Sequence, residues 1–291
     1  MKQKDKYPYS MALPGLILFT VFFIAPSVIG LFISLFKMYG FNFAGASFTG
    51  LGNYIGILSD GNTRKALINS FIFAIITTVF KMLFGMLLAV ALNKRLFLTN
   101  ALRTIFFLPA VINTVAVGLI FSSIMHPEKG LLNRFLSLIG LGALRQAWLT
   151  NPKIAIFSIC LIEIWKWSGF TMVILLTGMQ NISTDYYESA ELEGATEWQK
   201  FWKITFPLLL PSINNALILS IIGGLKVFDI VQATTQGGPG SATEVFGTLI
   251  YKSFGSGRFA EGCAASVLLA VIIAVIVLPT YKLIANQEVE V

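Results

Sequence analysis

Long apolar stretches separated by short polar segments dominate the pattern of this chain. A helix needs about 20 apolar residues to cross the hydrocarbon core of a bilayer. Stretches of that length predict six membrane-spanning helices, at about 11–36, 66–92, 104–127, 154–180, 204–225 and 262–284. Open sheet edges are not tolerated in lipid and the stretches are too long for barrel strands. The predicted fold class is therefore all-α, with residues 1–291 forming one polytopic membrane domain.

Composition supports that prediction. Hydrophobic residues make up 56% of the 291 residues and charged residues only 12%, whereas soluble domains carry about 25% charged residues. A soluble domain, a disordered chain and a secreted disulfide scaffold are thereby excluded. The net charge of +7 indicates loops beside anionic lipid rather than nucleic-acid binding in so apolar a chain. Cys160, Cys263 and His126 stand apart, so we predict neither a metal site nor catalytic residues.

The orientation in the membrane follows from the amino terminus. Lys2, Lys4 and Lys6 precede the first span and predict a retained helix that starts in the cytoplasm. An even number of spans then places both termini in the cytoplasm. Lysine and arginine counts are nearly equal on the two sides, and these counts alone do not decide the orientation.

The polar segment between the fourth and fifth spans predicts two short helices separated by a glycine turn. Asp185 with Glu188 three residues later fits a variant of the capping box, and Gly194 supplies the left-handed residue that ends the first helix. Thr196 begins a second capping box, and Pro207 stops or bends the helix that it opens. Large apolar side chains beside the acids suit docking in a partner's groove or anchoring at lipid headgroups, and composition leaves both open.

The spacing within this segment resembles the signature cytoplasmic loop of importer-type ABC permeases. The matching residues are Glu188-Ser189-Ala190, Gly194, Ile204 and Pro207; Ser189 replaces the usual Ala and Glu193 the common Asp. Two further stretches are similar to the sugar-transporter branch of that superfamily: Trp165-Lys-Trp-Ser-Gly-Phe170, and Phe228-Asp229 leading to Gln236-Gly-Gly-Pro-Gly240. The resemblance covers essentially the whole chain and implies the type I ABC importer permease fold of the maltose and glycerol-phosphate systems.

The resemblance implies a permease subunit of an ATP-driven, binding-protein-dependent importer that brings a sugar, such as an oligosaccharide, into the cytoplasm. Implied partners are a second permease in a heterodimer, two cytoplasmic ATPase subunits and an extracytoplasmic sugar-binding protein. The chain has no G-x-x-x-x-G-K-[ST] motif, so it is not an enzyme itself, and ATP and magnesium belong to the ATPase. Alternatives are import of glycerol phosphate or another polar solute, or ion-coupled secondary transport.

Two sets of site residues follow from the resemblance. The set expected to contact the ATPase is Glu188, Ser189, Ala190, Glu193, Gly194, Ala195, Ile204 and Pro207. The set expected to bind substrate is Trp165, Ser168, Gly169 and Met172 on one face of the fourth span, with Ser220, Gly223, Gly224 and Val227 on one face of the fifth. The same spacing of small residues is typical of close helix packing in membranes, so both interpretations stay open.

Charged residues within the spans also need partners. Glu163 and Lys166 lie one turn apart and are expected to neutralise each other, while Lys81 is expected to face a partner or water. We favour structural pairing over an ion relay. For Lys226 and Asp229, ion pairing and contact with a bound sugar are both open. The Gln236–Gly240 turn and the chain onward to Gly257 either contact the binding protein or form a solvated connector.

Overall fold

The computed structural model describes residues 9–40, 45–94 and 98–286. Lys2, Lys4 and Lys6, which underlie the predicted orientation, lie outside the described residues. The chain divides into two compact units, one of residues 1–61 and 249–270 and the other of residues 62–248 and 271–291. We refer to them as unit 1 and unit 2.

Most of the described residues, 77%, lie in helices, which confirms the all-α prediction. In chain order they are α1 (Leu13–Ile33), α2 (Gly52–Ser59), α3 (Gly61–Asn93), α4 (Thr99–Val111), α5 (Thr114–Ile124), α6 (Leu131–Leu138), α7 (Ala155–Gln180), α8 (Thr184–Leu192), α9 (Glu197–Leu208), α10 (Leu210–Leu225), α11 (Asp229–Thr234), α12 (Phe246–Gly255) and α13 (Phe259–Ala285). The exception is an antiparallel ribbon in unit 1, in which β1 (Phe36–Lys37) pairs with β2 (Ser47–Phe48).

Four described helices are long and apolar enough to cross a membrane by themselves: α1, α3, α7 and α13. Two bent pairs, α4 with α5 and α9 with α10, raise the number to six if each pair is one span. Helix α1 belongs to unit 1, and all of its large apolar side chains except that of Ile33 are exposed. Such exposure is expected of a helix that contacts lipid or another membrane helix.

The 94° bend between α4 and α5 is encoded locally. Pro109 lies inside α4, and Ile112 has an extended backbone with ψ 137°. Asn113 then caps α5, its side-chain oxygen accepting hydrogen bonds from the amides of Val115 and Ala116. A proline followed by a strong N-cap residue ends one helix and starts the next in a new direction.

The 66° bend between α9 and α10 falls at Leu209, two residues after the proline that the sequence analysis expected to stop or bend the helix. Pro211, in the first turn of α10, has no N–H to donate to the carbonyl of Pro207 four residues earlier. The missing hydrogen bond and the ring of Pro211 account for a bend at this position.

Unit 2 is built around α7. Ile156, Ile159 and Ile162 of α7 belong to one buried apolar cluster, together with residues of α3, α5, α11 and their connections. Met172, Leu175 and Met179, farther along the same helix, belong to a second cluster with residues of α3 and α10. Because one helix contributes to both clusters, α7 is the element against which the other helices of unit 2 are positioned.

Candidate functional site

The segment from residue 181 to residue 207 forms the predicted hairpin of two helices, here called the hairpin. Its first helix, α8, is capped by Ser183, whose Oγ accepts a hydrogen bond from the Asp185 amide at 3.3 Å. The prediction that Asp185 caps this helix is therefore wrong. Ser183 has the extended backbone of a cap residue, with ψ 139°, whereas Asp185 already lies in the first helical turn. There its carboxylate lies at the positive end of the helix dipole and interacts favourably with it.

The glycine turn of the hairpin is confirmed in detail. The Ala195 amide donates to the Ala190 carbonyl at 2.9 Å, and the Gly194 amide donates to the Glu191 carbonyl at 3.0 Å. With Gly194 at φ 76°, these bonds form a Schellman motif that ends α8. A Cβ added at Gly194 meets no other atom of the chain within 4 Å. The backbone conformation, rather than crowding within the chain, therefore favours glycine here.

The second helix of the hairpin begins with the predicted capping box. The Thr196 amide donates to the Gln199 side chain at 2.8 Å, and the Gln199 amide donates to Thr196 Oγ1 at 3.3 Å. The two residues thus satisfy each other's backbone donors.

Lys200 joins the two helices of the hairpin. Its Nζ lies 2.6 Å from Glu191 of α8 and 2.9 Å from Glu197 of α9, and its side chain is only 8% exposed. A second link joins the hydroxyls of Tyr187 and Thr205, 2.9 Å apart. We call Lys200, Glu191 and Glu197 the Lys200 cluster. The predictions from the sequence do not include this cluster, although the spacing of Glu197 and Lys200 on one helix face is a visible signal of it.

The pKa directions define the pH range over which the Lys200 cluster is intact. The hydrogen bonds that Lys200 donates to Glu191 and Glu197 raise the pKa of Lys200 above its ordinary 10.5. Its contribution is therefore complete below 10.5 and is lost as the pH rises through the folded-state value. The hydrogen bond from Lys200 lowers the pKa of Glu197 below its ordinary 4.5, so that contribution is present above 4.5 and is lost as the pH falls further. The cluster is intact throughout the neutral range.

Removing the lysine should loosen the hairpin while leaving the rest of the chain folded. We expect Lys200→Met at pH 7 to increase amide hydrogen exchange in α8 and in the first turn of α9 by about 3–10-fold. Exchange is measured by mass spectrometry on the purified protein. Lys203→Met is the matched control, because this neighbouring lysine is exposed. Equal exchange in the two variants would contradict a role for the cluster.

The hairpin exposes most of the residues expected to contact an ATPase. Glu188, Ser189, Glu193 and Gly194 are exposed, and Ala190 and Ala195 are half-buried between them. Ile204 and Pro207 are half-buried farther along α9. Beside the acids stand two large apolar side chains, Leu192 at 91% and Trp198 at 71% exposure. An acidic surface with protruding apolar side chains suits docking into a groove of another protein.

A cavity of about 400 Å³ lies in unit 2 between α7 and α10, and we call it the α7–α10 cavity. The residues that line it come from five helices, α3, α5, α7, α10 and α11, and from the connection between α10 and α11. They are Lys81, Thr114, Glu163, Trp167, Phe170, Thr171, Ile174, Ala216, Leu219, Ser220, Ile222, Gly223, Lys226, Val227, Phe228, Asp229 and Ile230. Its volume falls within the range of about 300–1,000 Å³ that is typical of small-molecule sites.

Four charged residues line the α7–α10 cavity. Lys81 and Glu163 are buried, with 3% and 6% exposure, whereas Lys226 and Asp229 are exposed. Among the described residues, no ion pair or hydrogen bond is found for the side chains of these four. The cavity wall thus offers two ammonium donors and two carboxylate acceptors to whatever enters it. Of the two open interpretations of Lys226 and Asp229, ion pairing is not found among the described residues, and contact with a bound sugar stays a prediction.

The sequence predicts that Trp165, Ser168, Gly169 and Met172 of α7 bind substrate, and we call these four residues the α7 stripe. The cavity is instead lined on α7 by Glu163, Trp167 and Phe170. Trp165, Ser168 and Gly169 of that stripe line a different, mostly apolar groove of about 750 Å³, formed with α3 and α4. The structure therefore does not bring the predicted residues of α7 and α10 together in one cavity. The sequence signal for the face of α7 that lines the cavity is Glu163, because a carboxylate within a membrane span needs a polar surrounding.

The small residues of the α7 stripe pack closely. Ser168 Oγ donates to the Ile164 carbonyl at 2.6 Å, within its own helix. A Cβ at Gly169 would overlap the Phe106 carbonyl oxygen of α4, and Met172 is fully buried in the second apolar cluster. These contacts match the helix-packing interpretation of small residues in a membrane.

On α10 the predicted residues divide between the two interpretations. Ser220, Gly223 and Val227 line the cavity. A Cβ at Gly223 would meet nothing within 4 Å, whereas a Cβ at Gly224 would lie 2.7 Å from the Ala74 Cα of α3. Gly223 therefore keeps the cavity open, and Gly224 allows α3 and α10 to pack closely.

Lys166 binds backbone carbonyls at the break between α4 and α5. Its Nζ donates to the carbonyls of Pro109 and Ala110 at 3.2 Å each and to that of Ile112 at 2.6 Å, and the residue is 1% exposed. The last carbonyls of a helix lack intrahelical donors and attract cations. The expected direct pairing with Glu163 is thus replaced by carbonyl contacts, although the carboxylate lies near enough to interact electrostatically.

The loop of residues 235–245, which contains the Gln236–Gly240 turn, is firmly attached to α3. Asn69 Nδ2 donates to the carbonyls of Ala242 and Glu244 at 3.1 and 2.9 Å. Lys65 Nζ donates to the Gly240 carbonyl at 3.1 Å, and the Phe246 amide donates to Ser70 Oγ at 2.8 Å. The loop therefore presents a fixed surface rather than a flexible connector.

Comparison with known proteins agrees with this architecture. One relative is a trehalose/maltose transport system permease protein of Thermococcus litoralis. It is 34% identical over 93% of this chain and 91% of the relative. Another is a multiple sugar-binding transport system permease protein of Streptococcus mutans, 30% identical over 99% of each chain.

A solved structure is similar as well. A bacterial ABC transporter involved in the import of the acidic polysaccharide alginate has a chain that is 28% identical, with a TM-score of 0.83 over 96% of this chain and 94% of that one. The likeness confirms the predicted fold of a type I ABC importer permease. Residues 81–288 also match the family described as the binding-protein-dependent transport system inner membrane component. The chain belongs to that family.

Proposed function

We propose that this chain is one permease subunit of an ATP-driven importer and that a sugar crosses the membrane past the α7–α10 cavity. The single observation that carries this proposal is the cavity itself. It is lined by buried and exposed charged side chains that bond to no described residue, beside the aromatic rings of Trp167 and Phe170. Sugar hydroxyls both donate and accept hydrogen bonds, and aromatic rings pack against the apolar faces of sugar rings.

Within this proposal the cavity replaces the predicted stripe on α7. Glu163 of α7 and Lys81 of α3 hydrogen-bond sugar hydroxyls, and Trp167, in place of Trp165, stacks on the sugar ring. Ser220, Gly223 and Val227 keep the roles expected from the sequence. A balanced set of two cations and two anions favours a neutral sugar over glycerol phosphate, because a phosphate needs an excess of basic groups.

The partners follow from the hairpin. It projects into the cytoplasm, with both termini of the chain on the same side, and it docks on one of two ATPase subunits, which hold the ATP and magnesium. A second permease completes the pathway, and a sugar-binding protein delivers cargo to the far side, at the loop of residues 235–245. In the solved alginate importer, a periplasmic protein carrying an alginate pentasaccharide is bound to the transporter, which supports this arrangement.

Substitution of two adjacent glycines of α10 tests whether the sugar passes the cavity. We expect Gly223→Val to lower sugar uptake at least tenfold with little change in the melting temperature, because its side chain extends into open space. Gly224→Val is the matched control. It meets the backbone of α3 and should destabilise the protein by about 1–3 kcal/mol. Uptake is measured in proteoliposomes that contain the permease, ATPase and binding protein encoded by neighbouring genes.

Three results of this experiment would contradict the proposal. Unchanged uptake in the Gly223→Val complex would remove the cavity from the pathway. Uptake that persists without ATP but follows an ion gradient would indicate secondary transport. Uptake of glycerol phosphate in preference to any neutral sugar would overturn the cargo class while leaving the importer mechanism intact.

A further inference from the structure

Helix α6 exposes an apolar stripe to its surroundings. Leu131, Phe135 and Leu138 lie at offsets of four and three and so share one helix face. They are 65%, 57% and 85% exposed. Large apolar side chains at this exposure are costly in water, and on a soluble surface a contiguous group of them marks an interaction site.

The stripe is held outward by a rigid anchor. Asn133, which is 2% exposed, donates from Nδ2 to the carbonyls of Pro127 and Gln146 at 2.8 and 2.9 Å. Its Oδ1 accepts from the Gln146 amide at 3.3 Å and from Trp148 Nε1 at 2.8 Å. On the same side of α6, Leu132 packs against the first apolar cluster. The opposite face therefore cannot turn inward without breaking this network.

A basic groove borders the stripe. It has a volume of about 390 Å³ and is lined by Asn133, Arg134, Ser137, Leu138 and Arg145. Both arginines are exposed, and neither forms an ion pair with a described residue. The connecting segment 128–153 contains four basic residues, Lys129, Arg134, Arg145 and Lys153, and one carboxylate, that of Glu128.

The position of α6 along the chain places it at a membrane surface. It follows α5, the second half of a bent pair that is long enough to span, and precedes α7, a helix long enough to span by itself. A short amphipathic helix between two spans, with basic residues beside its apolar face, is typical of helices that lie in the interface.

We propose that α6 lies in the headgroup region of the membrane, with its stripe among the acyl chains, and that Arg134 and Arg145 bind the phosphate of an anionic phospholipid. Charge complementarity selects this occupant: two guanidinium groups on one groove match a phosphate, which arginine binds through paired hydrogen bonds. The adjoining apolar stripe then contacts the acyl chains of the same leaflet. The proposal does not depend on the cargo or on the orientation of the chain.

Fluorescence quenching tests the depth of α6. A polarity-sensitive fluorophore is attached at Leu138→Cys in the assembled complex, with the same label at Leu192→Cys on the exposed hairpin as control. The unsubstituted chain is labelled in parallel to account for Cys160 and Cys263. We expect lipids brominated on their acyl chains to quench the label at position 138 at least threefold more than the label at 192. Equal quenching, or a change at 138 only when the sugar-binding protein is added, would overturn the proposal.

Lipid composition tests the arginine pair. In nanodiscs, replacing part of the phosphatidylcholine with phosphatidylglycerol should raise the melting temperature of the complex by about 2–4 °C. Arg134→Gln with Arg145→Gln should abolish that rise. Lys129→Gln with Lys153→Gln, the matched control, removes the same charge from the same segment outside the groove and should retain it. An equal loss in both double variants, or an equal rise with inorganic phosphate alone, would show that no phospholipid site exists here.

Discussion

Gly194→Asp is expected to uncouple ATP hydrolysis from transport while the chain stays folded and inserted. Aspartate tolerates the left-handed backbone better than most residues, so the Schellman turn should persist despite φ 76° at this position. The new side chain meets no atom of its own chain and therefore protrudes from the hairpin surface. There we expect it to obstruct the proposed contact with the ATPase and to add a negative charge beside Glu193. Sugar uptake in proteoliposomes should fall at least tenfold while ATP hydrolysis continues.

Two controls separate docking from folding in this experiment. Gly194→Asn has the same shape without the charge, and it shows whether bulk or repulsion is responsible. Gly140→Asp places the same residue at another left-handed glycine, φ 80°, which likewise has no neighbour within 4 Å. We expect Gly140→Asp to transport normally because it lies far from the hairpin in sequence and on another segment. Undiminished uptake in Gly194→Asp, or an equal loss in Gly140→Asp, would argue against the coupling role.

Lys166→Met should destabilise the protein more than any other single change considered above. The variant leaves the carbonyls of Pro109, Ala110 and Ile112 without their buried donor, and each unsatisfied buried group costs about 1–3 kcal/mol. We expect a fall in melting temperature of about 10 °C and loss of transport, because Thr114 at the start of α5 lines the cavity. Circular dichroism of the purified protein measures the first effect and vesicle uptake the second.

Comparison with other lysine variants identifies the cause. Lys166→Arg keeps the cation and should recover part of the stability, since a guanidinium also donates to carbonyls. Lys226→Met removes an exposed lysine that lines the α7–α10 cavity, and it should change the melting temperature little. If Lys166→Met melts like the unchanged protein, the carbonyls have another donor and the lysine does not hold the break.

The hairpin could be predicted from sequence because its signals are local. A glycine that must adopt positive φ and a threonine followed by Gln199 three residues later each identify a helix end without knowledge of the rest of the chain. The first cap was misassigned by two residues because Ser183 and Asp185 are both good N-cap residues. Only the backbone conformation distinguishes them.

The cavity could not be located in the same way, because its signals are ambiguous or distant. Glycines and serines at offsets of three and four occur both beside open space and at helix contacts. In the structure Gly223 lines the α7–α10 cavity, whereas Gly224 packs against α3. The partner carbonyl of Lys166 at Ile112 lies 54 residues away, so its role depends on how α4 packs against α7. On α7, the sequence signal for the face that lines the cavity is Glu163. The sequence alone favours a pairing of Glu163 with Lys166 instead.

The attachment of the loop of residues 235–245 to α3 has a mechanical consequence. Asn69, which bonds this loop, and Lys81, which lines the cavity, lie on one continuous helix, so a pull on the loop is transmitted along roughly 18 Å of rigid rod. The same loop begins where α11 ends, and Ile230 of α11 also lines the cavity. A protein that binds this loop would therefore act on two elements of the cavity wall at once, α3 and α11.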